Sequence, residues 1–212
     1  MQRYSKSSLT LAALLAALAG YVDALGFLQL GGFFVSFMSG NSTRLGVGAA
    51  AGNFEAVGIA GGLVAVFVAG VVVGVLVGRE DWRWRRPAIL SLVCFALLVS
   101  AVAHGGEPRW AMTASAFAMG ALNALFQREG DVAIGVTYMT GALVRMGHRI
   151  AMALRGGPKW DFLPFLMLWV SLTTGATLGA LTFRQIGVGG LWVAAAVALA
   201  LTAIVGVRDR ES

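Results

Sequence analysis

Six apolar stretches of the chain are each close to the length of a membrane-spanning helix. They are Leu9–Leu30, Ala56–Gly78, Ala88–Ala103, Trp110–Phe126, Phe162–Phe183 and Val188–Val207. A transmembrane helix needs about 20 mostly apolar residues, so the pattern predicts six spans. The run that begins at Leu9 is longer than the apolar region of a signal peptide, which is about 7–15 residues, and it is predicted to be a retained helix.

Two further apolar segments are interrupted by polar residues. Gly31–Gly52 contains Ser36, Ser39, Asn41, Ser42, Thr43 and Arg44, and Val132–Leu154 contains Thr137, Thr140, Arg145, His148 and Arg149. Irregular backbone inside a bilayer is tolerated only where protein or water satisfies it. Both segments are therefore predicted to be broken or re-entrant, entering and leaving the membrane on one side, with a full crossing as the alternative.

Basic residues collect in links that would share one side of a six-span bundle. The rich links hold Arg3 and Lys6, then Arg79, Arg83, Arg85 and Arg86, then Arg128, Arg145, Arg149, Arg155 and Lys159, and finally Arg208 and Arg210. The other links hold only Arg44, Arg109 and Arg184. Because cytoplasmic loops are enriched in Lys and Arg, both termini are predicted to be cytoplasmic. A crossing by Gly31–Gly52 would put the Arg83–Arg86 cluster outside.

The two halves of the chain resemble each other. Gly20-Tyr21-Val22-Asp23-Ala24-Leu25 aligns with Gly120-Ala121-Leu122-Asn123-Ala124-Leu125, Val35-Ser36-Phe37-Met38-Ser39-Gly40 with Val136-Thr137-Tyr138-Met139-Thr140-Gly141, Arg44 with Arg145, and Gly70 and Gly74 with Gly175 and Gly179. Each copy, about 9–104 and about 109–207, holds three predicted spans. Because three is odd, the copies must be inverted. Residues 1–212 are thus predicted to form one all-α membrane domain with an inverted-topology 3+3 repeat.

Composition supports a membrane environment and excludes several other classes. The chain is 58% hydrophobic and only 12% charged, with a mean hydropathy of +0.80, whereas soluble domains carry about 25% charged residues. A nucleic-acid partner is excluded despite the net charge of +6. One cysteine excludes a cysteine zinc site, two histidines are too few for a histidine metal centre unless carboxylates help, and no cofactor motif is present. The bilayer is the expected partner, and an enzyme is not expected.

The first-half motif carries a family resemblance. The motif consists of two stretches, Gly20-Tyr21-Val22-Asp23-Ala24-Leu25-Gly26-Phe27 and Phe34-Val35-Ser36-Phe37-Met38-Ser39-Gly40-Asn41-Ser42-Thr43. It resembles the YoaK-like family of bacterial inner-membrane proteins, a domain of unknown function (number 1275). The likeness covers most of the chain, including its length and span count. It implies a multi-pass location in the inner membrane, and no catalytic residue can be carried over from it.

Asp23 and its repeat mate Asn123 are the first candidate site residues. A carboxylate deep in a span costs about 3 kcal/mol on insertion scales, so Asp23 should face the bundle interior. One acid and one amide related by the repeat suit a proton or cation site. The structural alternative is a hydrogen bond between the first and fourth spans.

The polar loop of the first half supplies the next candidates: Ser39, Gly40, Asn41 and Thr43. Gly40 is expected to permit a sharp turn, and Asn41 or Ser42 to cap a short helix that begins near Thr43. The N-terminus of such a helix attracts anions. Tyr138, Thr140 and Gly141 are the weaker counterparts in the second half. A capped turn without a ligand is the structural alternative.

Arg44 and Arg145 occupy matched positions beyond these glycines. Arginine presents a planar fork suited to carboxylates and phosphates. Arg44 could bind an anionic solute or pair with Asp23 or Glu55, and Arg145 could face lipid phosphates; for both, the alternative is an arginine that only extends to the membrane surface.

These features together favour a small secondary transporter. Inverted repeats are frequent in such proteins, and their sites lie where broken segments from the two halves meet. The predicted solute is small and anionic, with proton coupling as a further option. The rival is a membrane scaffold or accessory subunit without a solute pathway. The small size of the chain also leaves room for a homodimer.

Overall fold

In the computed structural model the described residues are 6–79, 82, 84–105, 108–128, 131–132 and 136–211. Within these ranges the chain forms eight α-helices and one short hairpin. The helices are α1 (Lys6–Gln29), α2 (Met38–Ala50), α3 (Phe54–Val77), α4 (Arg85–Ala103), α5 (Pro108–Leu122), α6 (Met139–Leu154), α7 (Leu163–Ile186) and α8 (Leu191–Glu211), and the antiparallel strands are β1 (Gln127–Arg128) and β2 (Asp131–Val132). Arg3 and Arg83, which entered the charge analysis, lie outside the described residues.

The predicted spans correspond to α1, α3, α4, α5, α7 and α8, and the interrupted segments contain α2 and α6. Four described helical stretches are long and apolar enough to cross a membrane: Ser7–Gln29, Phe54–Val77, Arg85–Ala103 and Leu163–Asp209. The last stretch holds both α7 and α8, which a turn at Gly187–Gly190 separates. Helix α5 has 15 residues and continues as a 3₁₀ turn to Phe126, so it falls short of that length. The all-α membrane class is confirmed in this form.

Glycines bring two helix pairs into direct backbone contact. A Cβ atom on Gly20 of α1 would overlap the backbone carbonyl of Leu172 in α7, and one on Gly175 of α7 would overlap that of Ala17. Between α3 and α5, Cβ atoms on Gly70 and Gly120 would overlap the carbonyls of Phe117 and Phe67 in the same way. Small residues permit such close approach in membrane helices, so these four glycines let each pair of helices pack backbone against backbone.

Contacts between helix ends fix the direction of each helix. At one end of the bundle, Arg208 of α8 donates to Ser7 of α1 (2.9 Å). At the opposite end, Arg109 at the start of α5 pairs with Glu55 at the start of α3 (2.6 Å), and a Cβ on Gly26 in the last turns of α1 would lie 3.6 Å from Met112 of α5. We call these the termini end and the far end.

The same contacts place the two interrupted segments at opposite ends. Because α1 finishes and α3 starts at the far end, the segment that contains α2 leaves and returns there. After α5, the carbonyl of Ala124 accepts from Arg85, which also bonds Gly78 just after α3, so α5 finishes at the termini end. Helix α7 runs parallel to α1, since Ala17 faces Gly175 and Tyr21 faces Gly179. The segment that contains α6 therefore begins and ends at the termini end.

The outer surface of the bundle is apolar. Leu76 of α3, Phe95 of α4 and Val102 of α4 are 70%, 65% and 69% exposed. Soluble monomers rarely expose continuous apolar surface on this scale. The interior is also apolar, with Leu15, Leu25, Leu97 and Met119 at 0–2% exposure. A helical bundle whose interior and outer surface are both apolar fits the bilayer environment predicted from composition.

Candidate functional site

Asp23 holds the broken loop that follows α1. One carboxylate oxygen, Oδ1, accepts hydrogen bonds from the backbone N–H groups of Val35 and Ser36, both at 2.8 Å. The other, Oδ2, accepts from the Ser36 hydroxyl at 2.9 Å. The loop reaches Asp23 because the chain reverses at Gly31 and Gly32, whose φ angles of 65° and 103° suit glycine. Asp23 therefore joins the last turns of its own helix to the loop, and not to α5.

Asn123 makes an equivalent contact in the second half. Its Oδ1 accepts from the hydroxyl of Thr137 at 3.0 Å, and its Nδ2 donates to the carbonyl of Met119 at 2.8 Å. Thr137 is the repeat mate of Ser36, as Asn123 is of Asp23. Each half thus fastens its broken loop through one hydroxyl to one Asx side chain, although only the first half uses a carboxylate.

An open cleft of about 630 Å³, which we call the cavity, lies beside Asp23. Its walls come from α1, from α7, from the first broken loop and from the start of α6. Ser36 and Phe37 of the first half and Thr137 and Met139 of the second half all line it. The lining is mostly apolar, with Asp23 as its charged member among the described residues. Broken segments from both halves of the chain therefore line one cavity.

The predicted polar loop is arranged differently from the expectation. Helix α2 begins at Met38 and not near Thr43, and its N-terminus has no side-chain cap. Ser39 and Gly40 therefore lie in its first turn, and the Thr43 hydroxyl bonds the Ser39 carbonyl (3.2 Å) instead of lining a site. The prediction of a capped helix starting at Thr43 is wrong because the preceding residues are already helical.

Asn41 has a structural role in this loop. It is fully buried, its Oδ1 accepts from the backbone N–H of Phe34 (3.0 Å), and its Nδ2 donates to the Phe34 carbonyl (2.6 Å). These bonds clamp the extended part of the loop to α2. Both polar ends of the amide are occupied, and Asn41 is not among the residues that line the cavity.

Gly40 and Gly141 accommodate aromatic rings and do not form a sharp turn. A Cβ on Gly40 would lie 2.5 Å from the ring of Phe37, and one on Gly141 would overlap the ring of Tyr138. The left-handed turn lies earlier, at Gly31 and Gly32. Tyr138 is 66% exposed beside the start of α6, and neither it, Thr140 nor Gly141 lines the cavity.

The two arginines differ in their surroundings. Arg44 lies over the ring of Phe33, with its guanidinium carbon 5.0 Å from the ring centre. Among the described residues it makes neither expected ion pair, because Glu55 pairs with Arg109 and Asp23 accepts its hydrogen bonds from the loop. Arg145 is exposed on α6. Neither arginine lines the cavity.

Sequence reasoning missed several cavity residues. Ser36 and Thr137 were noted as interruptions, but their partnership with Asp23 and Asn123 was not anticipated. The repeat alignment could have indicated this partnership, because Ser36 follows Asp23 by 13 residues and Thr137 follows Asn123 by 14. Phe27, Phe34 and Phe37 were indistinguishable by sequence from other apolar span residues. Within the described ranges no three His, Cys, Asp or Glu residues cluster as a metal site would require.

Comparison with known proteins identifies the family. The family model described as protein of unknown function (DUF1275) matches residues 11–204. The UPF0700 transmembrane protein RA0705 of Rhizobium meliloti (strain 1021) is 37% identical over 202 residues, which cover 95% of this chain and 88% of that protein. No solved structure matches the chain. The chain therefore belongs to the DUF1275 family of transmembrane proteins, as its first-half motif predicted.

Proposed function

We propose that this protein is a small secondary transporter that moves a small solute through the cavity beside Asp23. The proposal rests on one observation: the same cavity, of about 630 Å³, is lined by both halves of the chain. Ser36 and Phe37 come from the first half, and Thr137 and Met139 from the second. Ligand pockets typically enclose about 300–1,000 Å³. A scaffold needs no such space between its two broken segments. No catalytic role is assigned to any residue.

The transporter proposal includes six spans related by an inverted repeat. Supporting it, α1 packs on α7 through Gly20 and Gly175, and α5 packs on α3 through their mates Gly120 and Gly70. In each of these pairs one helix comes from the first half of the chain and the other from the second. The two broken segments lie at opposite ends of the bundle. Transporters of this type move one unit against another around a fixed central site.

The proposed orientation puts the termini end in the cytoplasm of a bacterial cell, with the protein in the inner membrane. The basic links that contain Arg86, Arg155 and Lys159 all adjoin that end. The far end carries three arginines, Arg44, Arg109 and Arg184, and Glu55 offsets the charge of Arg109. This distribution agrees with the enrichment of Lys and Arg in cytoplasmic loops.

Access to the cavity from both sides of the membrane tests the function without knowledge of the solute. Thr177 lines the cavity and is exposed. Thr177→Cys is built in a Cys94→Ala background, because Cys94 is the one cysteine of the sequence and its removal leaves a single thiol for labelling. Cys94 itself is buried. A membrane-impermeant maleimide is expected to label Thr177→Cys in right-side-out and in inside-out vesicles. Ala116→Cys is the matched control, since Ala116 is fully buried and should stay unlabelled. Absence of labelling from one or both sides would support the scaffold instead.

A further inference from the structure

Asp23 is the charged residue in the wall of the cavity. Among the described residues, no Lys, Arg or His lines the same space. The two ion pairs of the described chain, Glu55 with Arg109 and Arg149 with Asp161, lie elsewhere. Within the described part of the chain, the carboxylate therefore faces the cavity without a basic partner.

The hydrogen bonds to Asp23 orient its carboxylate but do not cancel its charge. Val35 and Ser36 supply neutral N–H and O–H dipoles at 2.8–2.9 Å. A charge that is even partly buried is costly unless it is paired, and ionisable residues within membrane spans usually pair with one another or with backbone groups. A bound cation in the cavity would supply the positive partner that the described residues do not.

The rest of the wall suits the apolar body of such a cation. Phe27, Phe34 and Phe37 line the cavity next to Asp23. The Phe34 ring lies 5.0 Å from the Phe27 ring and 5.2 Å from the Phe37 ring, nearly perpendicular to the latter. Aromatic rings attract alkylammonium groups, through cation–π interactions, within about 6 Å of their centres. Thr137 and Thr173 add neutral hydroxyl groups and no positive charge.

We infer that the cavity binds a small organic cation with an apolar body, and that Asp23 compensates its charge. This inference rests on the proposed transport function and names its solute class. It replaces the anionic solute expected from sequence, because Arg44 and Arg145 lie outside the cavity wall. The helix N-terminus that was expected to attract an anion begins at Met38 and not near Thr43, and the backbone N–H groups of Gly40 and Asn41 in its first turn already donate to the Phe37 carbonyl.

The test uses benzyltrimethylammonium, a permanent cation with one aromatic ring, as the probe. In the Thr177→Cys, Cys94→Ala protein, millimolar benzyltrimethylammonium is expected to slow maleimide labelling severalfold. Phenylacetate, an anion of similar size, should leave the rate unchanged. Asp23→Asn should abolish the protection, because the amide keeps a hydrogen-bonding carbonyl oxygen but carries no charge. Glu55→Gln is the matched control, since it removes an exposed carboxylate distant from the cavity, and it should retain the protection.

The outcomes separate the solute class from the transport function. Protection that survives in Asp23→Asn, protection by phenylacetate alone, or no protection by the cation would each overturn the assignment of an organic cation. In those cases labelling of Thr177→Cys from both sides would still support a transporter. If Thr177→Cys is labelled from neither side, both proposals fail together. Size-exclusion profiles of each variant in detergent check that Asp23→Asn remains folded.

Discussion

Replacing Gly175 with leucine is expected to prevent assembly of the bundle. A side chain at this position meets the backbone of α1, where Ala17 Cα would lie 2.8 Å from the new Cβ. Neither backbone can move aside locally, since Gly20 of α1 is in equally close contact with Leu172 of α7. Overpacking in a tight core usually lowers the free energy of unfolding by about 1–3 kcal/mol and sometimes by more. A new side chain that clashes with a helix backbone is expected to cost at or above the upper end of that range. The yield of monodisperse protein in detergent measures the loss.

Gly62→Leu is the matched control for Gly175→Leu. Gly62 lies in the middle of α3, is exposed, and has nothing within 4 Å of an added Cβ. Its replacement should leave the yield at or above that of the wild type, because glycine disfavours the helix by about 0.5–1 kcal/mol relative to alanine. Gly70→Leu, the repeat mate of Gly175→Leu, should be as damaging as Gly175→Leu. Similar yields of Gly175→Leu and Gly62→Leu would show that α1 and α7 are not in backbone contact.

Asp23→Ala is expected to destabilise the protein strongly, whereas Asp23→Asn should not. The alanine variant leaves the N–H groups of Val35 and Ser36 without acceptors, and these residues are 0% and 5% exposed. Each unsatisfied buried group costs about 1–3 kcal/mol. The asparagine variant can still accept both bonds through its carbonyl oxygen, as Asn123 accepts from Thr137.

Thermal unfolding in detergent separates these two variants. The unfolding temperature is expected to fall in the order wild type, Asp23→Asn, Asp23→Ala, with the larger step between the two variants. Ser42→Ala serves as a control, because the Ser42 hydroxyl is exposed and bonds only a carbonyl of its own helix. If Asp23→Ala and Asp23→Asn unfold at the same temperature, the carboxylate does not hold the loop.

The helices could be predicted from sequence because the apolar runs and their boundaries are local features. Helix α3 begins at Phe54 and ends at Val77, within two residues of the predicted span at each end. The interrupted segments were also recognisable, since each contains arginine near its middle and charged residues are rare within spans. Helix α5 was the exception: its predicted span includes the 3₁₀ turn Asn123–Phe126, where the Asn123 side chain bonds the Met119 carbonyl and the chain leaves the α-helix.

The site was harder to predict because it depends on which groups satisfy one another. The sequence places Asp23 and Ser36 apart, and only the turn at Gly31 and Gly32 brings them together. Asparagine is a residue type that can bind a ligand, yet the Asn41 amide bonds both the backbone N–H and the carbonyl of Phe34. Arg44 and Asp23 carry opposite charges, but Arg44 lies over Phe33 instead. Partner choice of this kind is a property of the fold and is not visible in residue spacing.

The inverted arrangement of the two broken segments is the central claim, and cysteine accessibility in intact cells tests it most directly. Ala51 follows α2 at the far end, Lys159 precedes α7 at the termini end, and both are exposed. In a Cys94→Ala background, Ala51→Cys is expected to react with an impermeant maleimide added outside. Lys159→Cys should react only after the membrane is permeabilised. Labelling of both residues from the same side would contradict the inverted repeat, and with it the proposed transport site.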